Sequence, residues 1–380
     1  MDRNPDVVIV GAGPAGLAVA ATLSRVGFKT LIIEAQSELA ANWRTRYDNL
    51  TLNTMRSFSA LPGLKIPKKY GRYPSRDNFI AYLEQYARFH SLNIEYEFPV
   101  ERIERDEKKK HWEISSNKNS VQSKYLVVAT GYDASPFLPS WAVDNNFVGN
   151  LIHASKFKNA NAYKDREVLV VGAGNSGVDI AGLLAKAGAN VTLSMRTSPN
   201  IFPRDWGFLP LQPAAILAGI FPPPIGDAVG RLIQYFVFGN LSVYGIPPSP
   251  EGIQSTYKHR LIGPAVDDGF IAALKTGRAR VCAAVESLDF DEATLIDGSK
   301  IRPHVIICAT GYSRGLEGLV SQLGVLGTNG APSVLPGQEK FDHTGIYFIG
   351  FRGSPSGQIR LMPQDAKFIA RSIMAEEGKN

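Results

Sequence analysis

Near its start the chain has a run of four apolar β-branched residues, Val7–Val10, that breaks into closely spaced glycines and then into an apolar helical pattern over 17–25. A second strand pattern over 29–33 follows and ends at Glu34. A short, fully apolar run predicts a strand that is buried on both faces of a sheet. Strand, glycine turn, helix and strand in this order predict the first half of a doubly wound α/β sheet.

The glycines of this turn have the spacing G-x-G-x-x-G, at Gly11, Gly13 and Gly16. In such a turn the first glycine forms the tight bend, the second lets a pyrophosphate approach the backbone, and the third lets helix and strand pack closely. The free N–H groups of the helix N-terminus then meet the phosphates. Glu34, 23 residues after Gly11, suits a ribose hydroxyl. We therefore predict a dinucleotide site, with further contacts at Pro14, Ala15 and Ala35.

The same arrangement recurs in the middle of the chain. Residues 167–177, EVLVVGAGNSG, repeat the strand and the glycine motif, 161 residues after the first copy. No acid stands 23 residues after Gly172, where Met195 is followed by Arg196. An arginine there can hold a 2′-phosphate that an acid would repel, so this copy predicts NADPH rather than NADH. The predicted binding residues are Gly172, Gly174, Asn175, Ser176, Gly177, Arg196 and, as a second basic candidate, Arg204; the alternative is that either arginine faces solvent.

Two strand patterns, the first a single strand over 121–128, run into the same Ala-Thr-Gly turn, at 129–131 and 309–311. Open α/β sheets bind ligands at the carboxyl ends of their strands. These turns therefore predict ligand contacts at Thr130, Gly131 and Thr310. Further on, a strand pattern over 346–350 leads into a glycine- and serine-rich turn and a helix from about Gln358, whose N-terminus offers N–H donors to an anionic ligand.

Composition narrows the functional classes. The 380 residues, 44% of them hydrophobic, are enough for two ordinary domains. The net charge of +6 comes without a basic stripe interleaved with aromatic residues, so nucleic-acid binding is not predicted. Cys282 and Cys308 lie in apolar runs and form no C-x-x-C pair, which argues against a redox-active disulfide and favours a reducing compartment. With no secretory pattern at the start, we expect a cytoplasmic protein, and no metal site is predicted.

Two windows, 206–226 and 232–250, contain no charged residue. Prolines and glycines interrupt both of them, so neither predicts a membrane-spanning helix. Short apolar helices that cover a cleft are the favoured interpretation. A peripheral contact with a membrane is the alternative.

Between the two nucleotide motifs, Phe147, Gly149, His153 and Phe157 fit the pattern F-x-G-x-x-x-H-x-x-x-[YF]. Two glycine motifs with this signature between them resemble the class B flavin-dependent monooxygenases, of the flavin-containing monooxygenase and YUCCA type, over nearly the full length. The resemblance implies FAD on the first motif and NADPH on the second. It also implies that a C4a-peroxyflavin transfers one oxygen atom of O2 to a small-molecule substrate, and that His153 links the domains.

The resemblance also implies roles for single residues. Trp43, Arg44 and Val100, the last at a strand start, would contact FAD. Asn53 is similar to the asparagine that lies beside the flavin in the animal-type flavin-containing monooxygenases, where the YUCCA type often has histidine, so Asn53 is the predicted catalytic residue. The helix N-terminus near Gln358 would stabilise negative charge on the reduced flavin ring.

Several alternatives remain open at this point. The apolar 206–250 region suggests a hydrophobic or aromatic substrate, but N- or S-oxygenation, decarboxylation of an indole-3-pyruvate-like keto acid and Baeyer–Villiger oxidation are not separated. An uncoupled NADPH oxidase or flavin reductase that makes hydrogen peroxide is the main alternative, and a non-catalytic FAD-binding sensor is another. A monomer and a homodimer are both compatible with the sequence.

The predicted architecture is an α/β fold with two Rossmann-like dinucleotide-binding domains, the NADPH domain being inserted into the FAD domain. The predicted ranges are 1–157 for the first part of the FAD domain, 158–300 for the NADPH domain with its helical apolar insertion 206–250, and 301–380 for the C-terminal part of the FAD domain.

Overall fold

The computed structural model describes residues 4–260, 262–336 and 345–378. The strands are, in chain order, β1 Val7–Val10, β2 Thr30–Ile33, β3 Ile94–Glu95, β4 Arg102–Asp106, β5 His111–Ser115, β6 Ser120–Ser123, β7 Tyr125–Val128, β8 Ser135–Pro136, β9 Asn150–His153, β10 Glu167–Val171, β11 Asn190–Ser194, β12 Ile201–Pro203, β13 Asp205–Trp206, β14 Leu209–Pro210, β15 Ala265–Asp267, β16 Ala279–Cys282, β17 Val285–Asp289, β18 Glu292–Leu295, β19 Lys300–Ile301, β20 Val305–Cys308, β21 Tyr312–Ser313 and β22 Ile346–Phe348. The α-helices are α1 Pro14–Arg25, α2 Ala41–Arg44, α3 Arg76–Phe89, α4 Ser140–Val143, α5 Asn175–Lys186, α6 Gln212–Ala218, α7 Pro223–Phe238, α8 Ile253–Arg260, α9 Phe270–Lys275, α10 Glu317–Val320 and α11 Met362–Glu376.

Two five-stranded parallel sheets carry the fold. The first has the strand order β22-β7-β1-β2-β3 and the second has the order β9-β20-β10-β11-β16. In both sheets the strand before the glycine motif is central, the strand after the following helix lies on one side of it, and the strand before the Ala-Thr-Gly turn lies on the other. The predicted α/β fold with two Rossmann-like sheets is confirmed.

Each central strand buries both of its faces, as its unbroken apolar run predicts. Val7 and Ile9 belong to a hydrophobic core shared with α1, α3 and α11, whereas Val8 and Val10 belong to a second core shared with the small antiparallel sheet β4-β5-β6. The alternation follows from the two-residue period of a strand. The second sheet is covered in the same way, by α5 and α9 on one face and by the β17–β19 sheet on the other. The cores therefore hold the carboxyl ends of both central strands in fixed positions.

The local structure differs from the sequence prediction in two places. The single strand expected over 121–128 is divided at Lys124 into β6 and β7, which belong to different sheets. Val100 does not begin a strand, because β4 starts at Arg102.

Sheet membership also bears on the predicted domain ranges. Strands β9 and β20 belong to the second sheet, although the ranges 1–157 and 301–380 would place them with the first. Parts of these ranges, residues 1–3, 337–344 and 379–380, lie outside the described residues. The division into domains stays a prediction.

The chain passes from the first sheet to the second after β7 and returns after β20. The two connections lie side by side, because β8 and β21 pair as antiparallel strands, Tyr312 opposite Pro136 and Ser313 opposite Ser135. Arg46 fastens this two-stranded ribbon: its guanidinium donates to the Tyr312 hydroxyl (2.8 Å) and to the Asp133 carboxylate (2.7 Å).

In the 206–250 region the structure has α6, α7 and a short hairpin, β13 and β14. Helix α7 runs from the end of the first uncharged segment, 206–226, into the second, 232–250. Among the described residues, no helix has both the length and the apolar character that crossing a membrane requires.

Candidate functional site

A cavity of about 1230 Å³ lies at the carboxyl end of the first sheet and extends under α6 and α7. Pockets for one small molecule usually measure about 300–1000 Å³, so this one has room for more than one ligand. The predicted site residues that line it are Gly11, Gly13, Pro14, Ala15, Glu34, Ala35, Trp43, Asn53, Val100, Thr130, Gly131, Asn175, Ser176, Arg204 and Gln358. Those that do not line it are Gly16, Arg44, Gly172, Gly174, Gly177, Arg196 and Thr310.

The first glycine motif has the geometry that a bound pyrophosphate needs. Gly11 has φ +109°, and a Cβ there would come within 2.7 Å of the Ala129 carbonyl oxygen. A Cβ on Gly16 would overlap the carbonyl oxygen of Gly11, so Gly16 serves the packing of α1 against β1. A Cβ on Gly13 would meet nothing within 4 Å, since Gly13 faces the cavity. The space in front of Gly13 is where phosphate oxygens could reach the N-terminus of α1.

Glu34 is oriented by the same turn. Its carboxylate accepts the backbone N–H of Ala12 (2.8 Å) and that of Gln36 (3.1 Å). These bonds hold the side chain beside the glycine turn at the cavity wall, and each carboxylate oxygen keeps further acceptor capacity. The arrangement suits a ribose hydroxyl, as the sequence predicted.

The turn after β7 adds a polar atom that has no partner. The Thr130 hydroxyl is buried at the cavity wall and makes no hydrogen bond within the described part of the chain. A buried hydroxyl without a partner is costly, and a ligand group can satisfy it. Thr130 and the open space at Gly13 together show that the lining fits a dinucleotide such as FAD. Thr310, its counterpart in the second copy, donates instead to the carbonyl of Phe137 (2.5 Å).

The aromatic segment after β2 supplies one predicted contact and one unpredicted one. Trp43 lines the cavity and packs edge-on against Phe79, with ring centroids 4.8 Å apart. Arg44 is turned away, because it pairs with Glu84 (2.5 Å). Arg46, which the sequence did not single out, lines the cavity in its place.

The second glycine motif repeats the geometry of the first. A Cβ on Gly172 would come within 2.5 Å of the Ala309 carbonyl oxygen, a Cβ on Gly177 would overlap the carbonyl oxygen of Gly172, and a Cβ on Gly174 would meet nothing within 4 Å. Gly174 lines a smaller cavity of about 260 Å³. Asn175 and Ser176, at the start of α5, line both cavities, so the two predicted nucleotide sites adjoin there.

The two arginines proposed for a 2′-phosphate lie in different environments. Arg196 follows β11, is exposed and makes no hydrogen bond or ion pair with another described residue. Arg204 is 11% exposed; it donates to the Thr51 hydroxyl (2.6 Å), pairs with Asp268 and lies over the Tyr73 ring at 5.0 Å. Arg196 is therefore the cation available to a ligand. Arg204 connects Thr51 and Tyr73, in the part of the molecule built around the first sheet, to Asp268, in the part built around the second sheet. We call these two parts the two halves of the molecule.

A hydrogen-bonded pair at the wall of the large cavity, which Tyr47 lines, also connects the two halves. The Tyr47 hydroxyl donates to the carboxylate of Asp179 on α5. Burial raises the pKa of both side chains, and the negative charge of Asp179 raises the pKa of Tyr47 further. Tyr47 is thus fixed as a donor, and it packs against Phe157 of the F-x-G-x-x-x-H-x-x-x-[YF] motif, with ring centroids 5.8 Å apart.

His153 connects two neighbouring strands of the second sheet, and its implied role of linking the domains stays a prediction. Its Nε2 lies 3.0 Å from the carbonyl oxygen of Gly311 and its Nδ1 lies 3.0 Å from the Ser155 hydroxyl. Burial lowers its pKa, which favours a neutral ring. The ring also packs edge-on against Tyr312, so His153 fixes β9 to the turn after β20.

The C-terminal turn lines the cavity and begins beside the first glycine motif, since a Cβ on Gly350 would lie 3.0 Å from the Ala15 side chain. Gln358 lines the cavity just before a 3-10 turn, Ile359–Leu361, and α11 proper begins only at Met362 rather than near Gln358. Gln212 of α6 ties this turn to the segment after Asn53, since its side chain donates to the Ser356 carbonyl (2.8 Å) and accepts from the Met55 N–H (2.7 Å).

Three arginines line the large cavity, and two of them are paired, Arg46 with Asp133 and Arg204 with Asp268. The third, Arg360, has no carboxylate or hydrogen-bond partner among the described residues, and its Nε is buried. No pattern in the sequence distinguishes Arg360, because it is one of 41 basic residues and lies outside the motifs. Its guanidinium is free to receive an anionic group.

Comparison with known proteins agrees with this geometry. The family model for pyridine nucleotide-disulphide oxidoreductases matches residues 8–205, just over half of the chain. The probable indole-3-pyruvate monooxygenase YUCCA4 of Arabidopsis thaliana is 33% identical, covering 91% of this chain and 85% of its own length. The indole-3-pyruvate monooxygenase YUCCA1 of Oryza sativa subsp. japonica is 31% identical, covering 91% and 86%.

A solved structure shows the same fold. The flavin-containing monooxygenase from Stenotrophomonas maltophilia matches with a TM-score of 0.73 and 17% identity, covering 99% of each chain. The predicted enzyme class, and FAD with NADPH as the cofactors of that class, are confirmed by the relatives. The chain belongs to the flavin-dependent NADPH monooxygenases of the YUCCA type, within the pyridine nucleotide-disulphide oxidoreductases.

Proposed function

We propose that this monooxygenase acts on an aromatic or other apolar 2-oxo acid, of which indole-3-pyruvate is the type. In the overall reaction one oxygen atom of O2 enters the substrate, which loses CO2 and becomes the shortened carboxylic acid; the other atom leaves as water, and NADPH supplies the two electrons. When bound, the flavin would supply the oxygen-transfer chemistry, and the residues of the first glycine motif with Glu34, Trp43 and Thr130 would hold it.

The observation that carries this proposal is the unpaired guanidinium of Arg360 in a cavity with apolar walls. Ile216, Ile220 and Ile233 line the part of the cavity under α6 and α7. An apolar wall with one fixed cation suits a flat hydrophobic body that carries a carboxylate. The names of the relatives, indole-3-pyruvate monooxygenases, give independent support for the same substrate class.

The cofactors are assigned to the two glycine motifs in the predicted order. FAD would contact the first motif, Glu34, Trp43 and Thr130, and NADPH would contact the second motif and Arg196. The chain would hold the pyrophosphates at the N-termini of α1 and α5, and Asn53 would act beside the flavin. The turn before α11 would direct backbone N–H groups at the flavin ring and favour negative charge on it.

The substrate assignment is tested with the Arg360→Gln variant. We expect KM for indole-3-pyruvate to rise about 10–100-fold, because a charge-assisted bond to the carboxylate is lost. The rate of anaerobic flavin reduction by NADPH, and the turnover of a neutral aromatic sulfide if it is a substrate, should be unchanged. An unchanged KM for the acid would remove Arg360 from substrate binding.

The wider alternatives are separated by product analysis of the wild-type enzyme. Oxygenated acid formed in proportion to NADPH consumed supports the proposal. Oxygenation of amines or sulfides, with no effect of 2-oxo acids on NADPH consumption, would contradict it and favour N- or S-oxygenation. Hydrogen peroxide equal to the NADPH consumed, with every compound tested, would identify an oxidase.

A further inference from the structure

The 206–244 segment carries an exposed hydrophobic surface, of which only Ile220 and Val229 line the cavity. Thirteen of the 22 exposed large hydrophobic side chains in the described part of the chain lie in this segment, about a tenth of the sequence. Surface hydrophobic residues are normally scattered singly, and a concentration of them marks a contact surface.

Helix α7 presents the most regular part of this surface. Ile225, Val229, Leu232 and Phe236 are 51%, 40%, 56% and 68% exposed. Their spacing of four, three and four residues places them on one side of the helix. We call these four residues the apolar face of α7. An amphipathic helix normally buries such a face, whereas here it points outwards.

The opposite side of α7 is fixed to α8. Asp227 is 6% exposed, and its carboxylate accepts the backbone N–H of Gln254 (2.7 Å) and the hydroxyl of Ser255 (2.5 Å). Gly230 is also buried, and a Cβ there would lie 3.3 Å from Ile253. Because the polar side of α7 has these contacts, the helix cannot turn its apolar face inwards without breaking them.

The charges around the surface distinguish between its possible partners. Residues 206–250 contain two charged side chains, Asp227 and Arg231, and only Arg231 is exposed. Lys258 on the adjoining α8 is also exposed and has no ion-pair partner among the described residues. In a two-fold contact between two copies the same patch meets itself, so these cations would face each other with no carboxylate of the segment to pair with them. Anionic phospholipid headgroups would supply the missing negative charge.

We propose that the enzyme docks peripherally on an anionic lipid surface through the apolar face of α7, with Arg231 and Lys258 at the headgroups. Helix α7 has 16 residues and would lie in the plane of the interface with its apolar face in the acyl region. Trp206 and Tyr235, which are 51% and 60% exposed, are residue types that favour this zone. The proposal does not depend on the identity of the substrate.

Docking would place the cavity against the lipid. Ile220 and Val229 line the cavity and are also 75% and 40% exposed, so the cavity opens between α6 and α7 on the side of the apolar face. An apolar substrate or product could then exchange between the cavity and the acyl region without crossing bulk water.

The test is flotation of the FAD-loaded enzyme with vesicles of phosphatidylcholine containing about one-third phosphatidylglycerol, and with vesicles of phosphatidylcholine alone. The wild type should float with the anionic vesicles. The double variant Leu232→Glu, Phe236→Glu should lower the partition coefficient about tenfold or more, since two apolar anchors are replaced by anions. Arg231→Gln should lower it about fivefold, and only with the anionic vesicles.

Ile296→Glu is the matched control, because Ile296 is 61% exposed and lies outside the segment. Leu232 and Phe236 do not line the cavity, so FAD content and the rate of flavin reduction by NADPH should be unchanged in the double variant and show that it is folded. Absence of wild-type flotation, or equal flotation of the double variant, overturns the proposal. A concentration-dependent dimer that the double variant abolishes, without vesicle binding, overturns it in favour of a second copy.

Discussion

The side-chain amide of Asn53 donates a hydrogen bond to the amide oxygen of Asn175, at 3.1 Å. The same oxygen accepts the N–H of Val266 (2.9 Å), and the Asn175 amide nitrogen donates to the Pro264 carbonyl (3.1 Å). The residue predicted to act beside the flavin is therefore held by the first residue of α5, in the predicted NADPH site. If the nicotinamide end of a bound NADPH moved against Asn175, this hydrogen bond would transmit the movement to Asn53.

Replacement of Asn53 by alanine should uncouple the enzyme. Loss of one positioned hydrogen-bond donor at a reacting group costs about 10–1000-fold in the step that it serves. We expect oxygenated product per NADPH to fall at least tenfold on this scale, with hydrogen peroxide rising to match, while anaerobic reduction of the flavin stays within a few-fold of wild type. Asn175→Ala should instead slow reduction. An unchanged product-to-peroxide ratio in Asn53→Ala would exclude the catalytic role.

The assignment of the cofactors can be tested with two matched glycine variants. Gly13 and Gly174 both have φ −80°, and a Cβ at either has open space around it, so alanine is tolerated by the fold. Gly13→Ala should yield folded protein with little FAD. Gly174→Ala should keep its FAD and bind NADPH about 10–100-fold more weakly, because the methyl group displaces a phosphate from the N-terminus of α5. The measurements are the flavin content of each purified variant and its affinity for NADPH. Loss of FAD in Gly174→Ala, with weaker NADPH binding in Gly13→Ala, would show that the two motifs were assigned wrongly.

Arg196 should decide the preference between NADPH and NADH. Arg196→Ala removes a cation that has no other partner in the described chain, and we expect the ratio of kcat/KM for the two cofactors to fall about 10–100-fold. Arg371→Ala, at an exposed position on α11, is the control. Arg204→Ala should lower thermal stability, since its guanidinium bonds Thr51 and pairs with Asp268. A loss of cofactor preference in Arg204→Ala alone would reverse the roles given to the two arginines.

Asp365 should make a distinct contribution to the pH dependence of stability. It is 2% exposed and pairs with Arg352 (2.6 Å), and burial raises its pKa to about 6 despite the arginine. A pKa that is higher in the folded state than in the unfolded state means that the protonated form is favoured by folding. The stabilisation of the folded state that comes from protonated Asp365 is therefore fully present below about pH 4 and is lost as pH rises to about 6.

The measurement is chemical denaturation of the wild type and of Asp365→Asn between pH 4 and 7. The difference in unfolding free energy between the two proteins should change across the window from about 4 to 6 and be constant above it. A difference that is independent of pH would show that Asp365 is ionised throughout.

The sequence predicted those features that depend on local pattern. Val7–Val10 is buried on both faces as its composition requires, and Glu34, the predicted acid after the second strand, lies beside the glycine turn and accepts the N–H of Ala12 (2.8 Å). The prediction was wrong where the hydrophobic pattern changes its period. The single strand predicted over 121–128 is two strands, since β6 alternates exposed and buried residues whereas β7 is buried throughout. The break was visible in the sequence as a change from alternating to continuous apolar residues.

Side-chain pairing could not be predicted, because it depends on residues far apart in the chain. Arg44 and Arg46 are two residues apart, but Arg44 turns to Glu84 and Arg46 turns into the cavity towards Tyr312. Arg204, the second basic candidate for a 2′-phosphate, pairs with Asp268. Arg360 differs from Arg46 and Arg204, the other arginines of the cavity, in having no carboxylate partner in the described chain, and that difference depends on residues distant in sequence.

The ribbon formed by β8 and β21 has a mechanical consequence. A single connection between two bodies lets them swing and slide in any direction, whereas two connections that are hydrogen-bonded to each other behave as one stiff strap. His153 and Arg46 both hold the strap at Tyr312. The contacts of Asn53 with Asn175, of Tyr47 with Asp179 and of Arg204 with Asp268 cross-link the same two halves beside it. A relative rotation of the two halves would break several of these bonds at once, so the two glycine motifs are held in one mutual orientation.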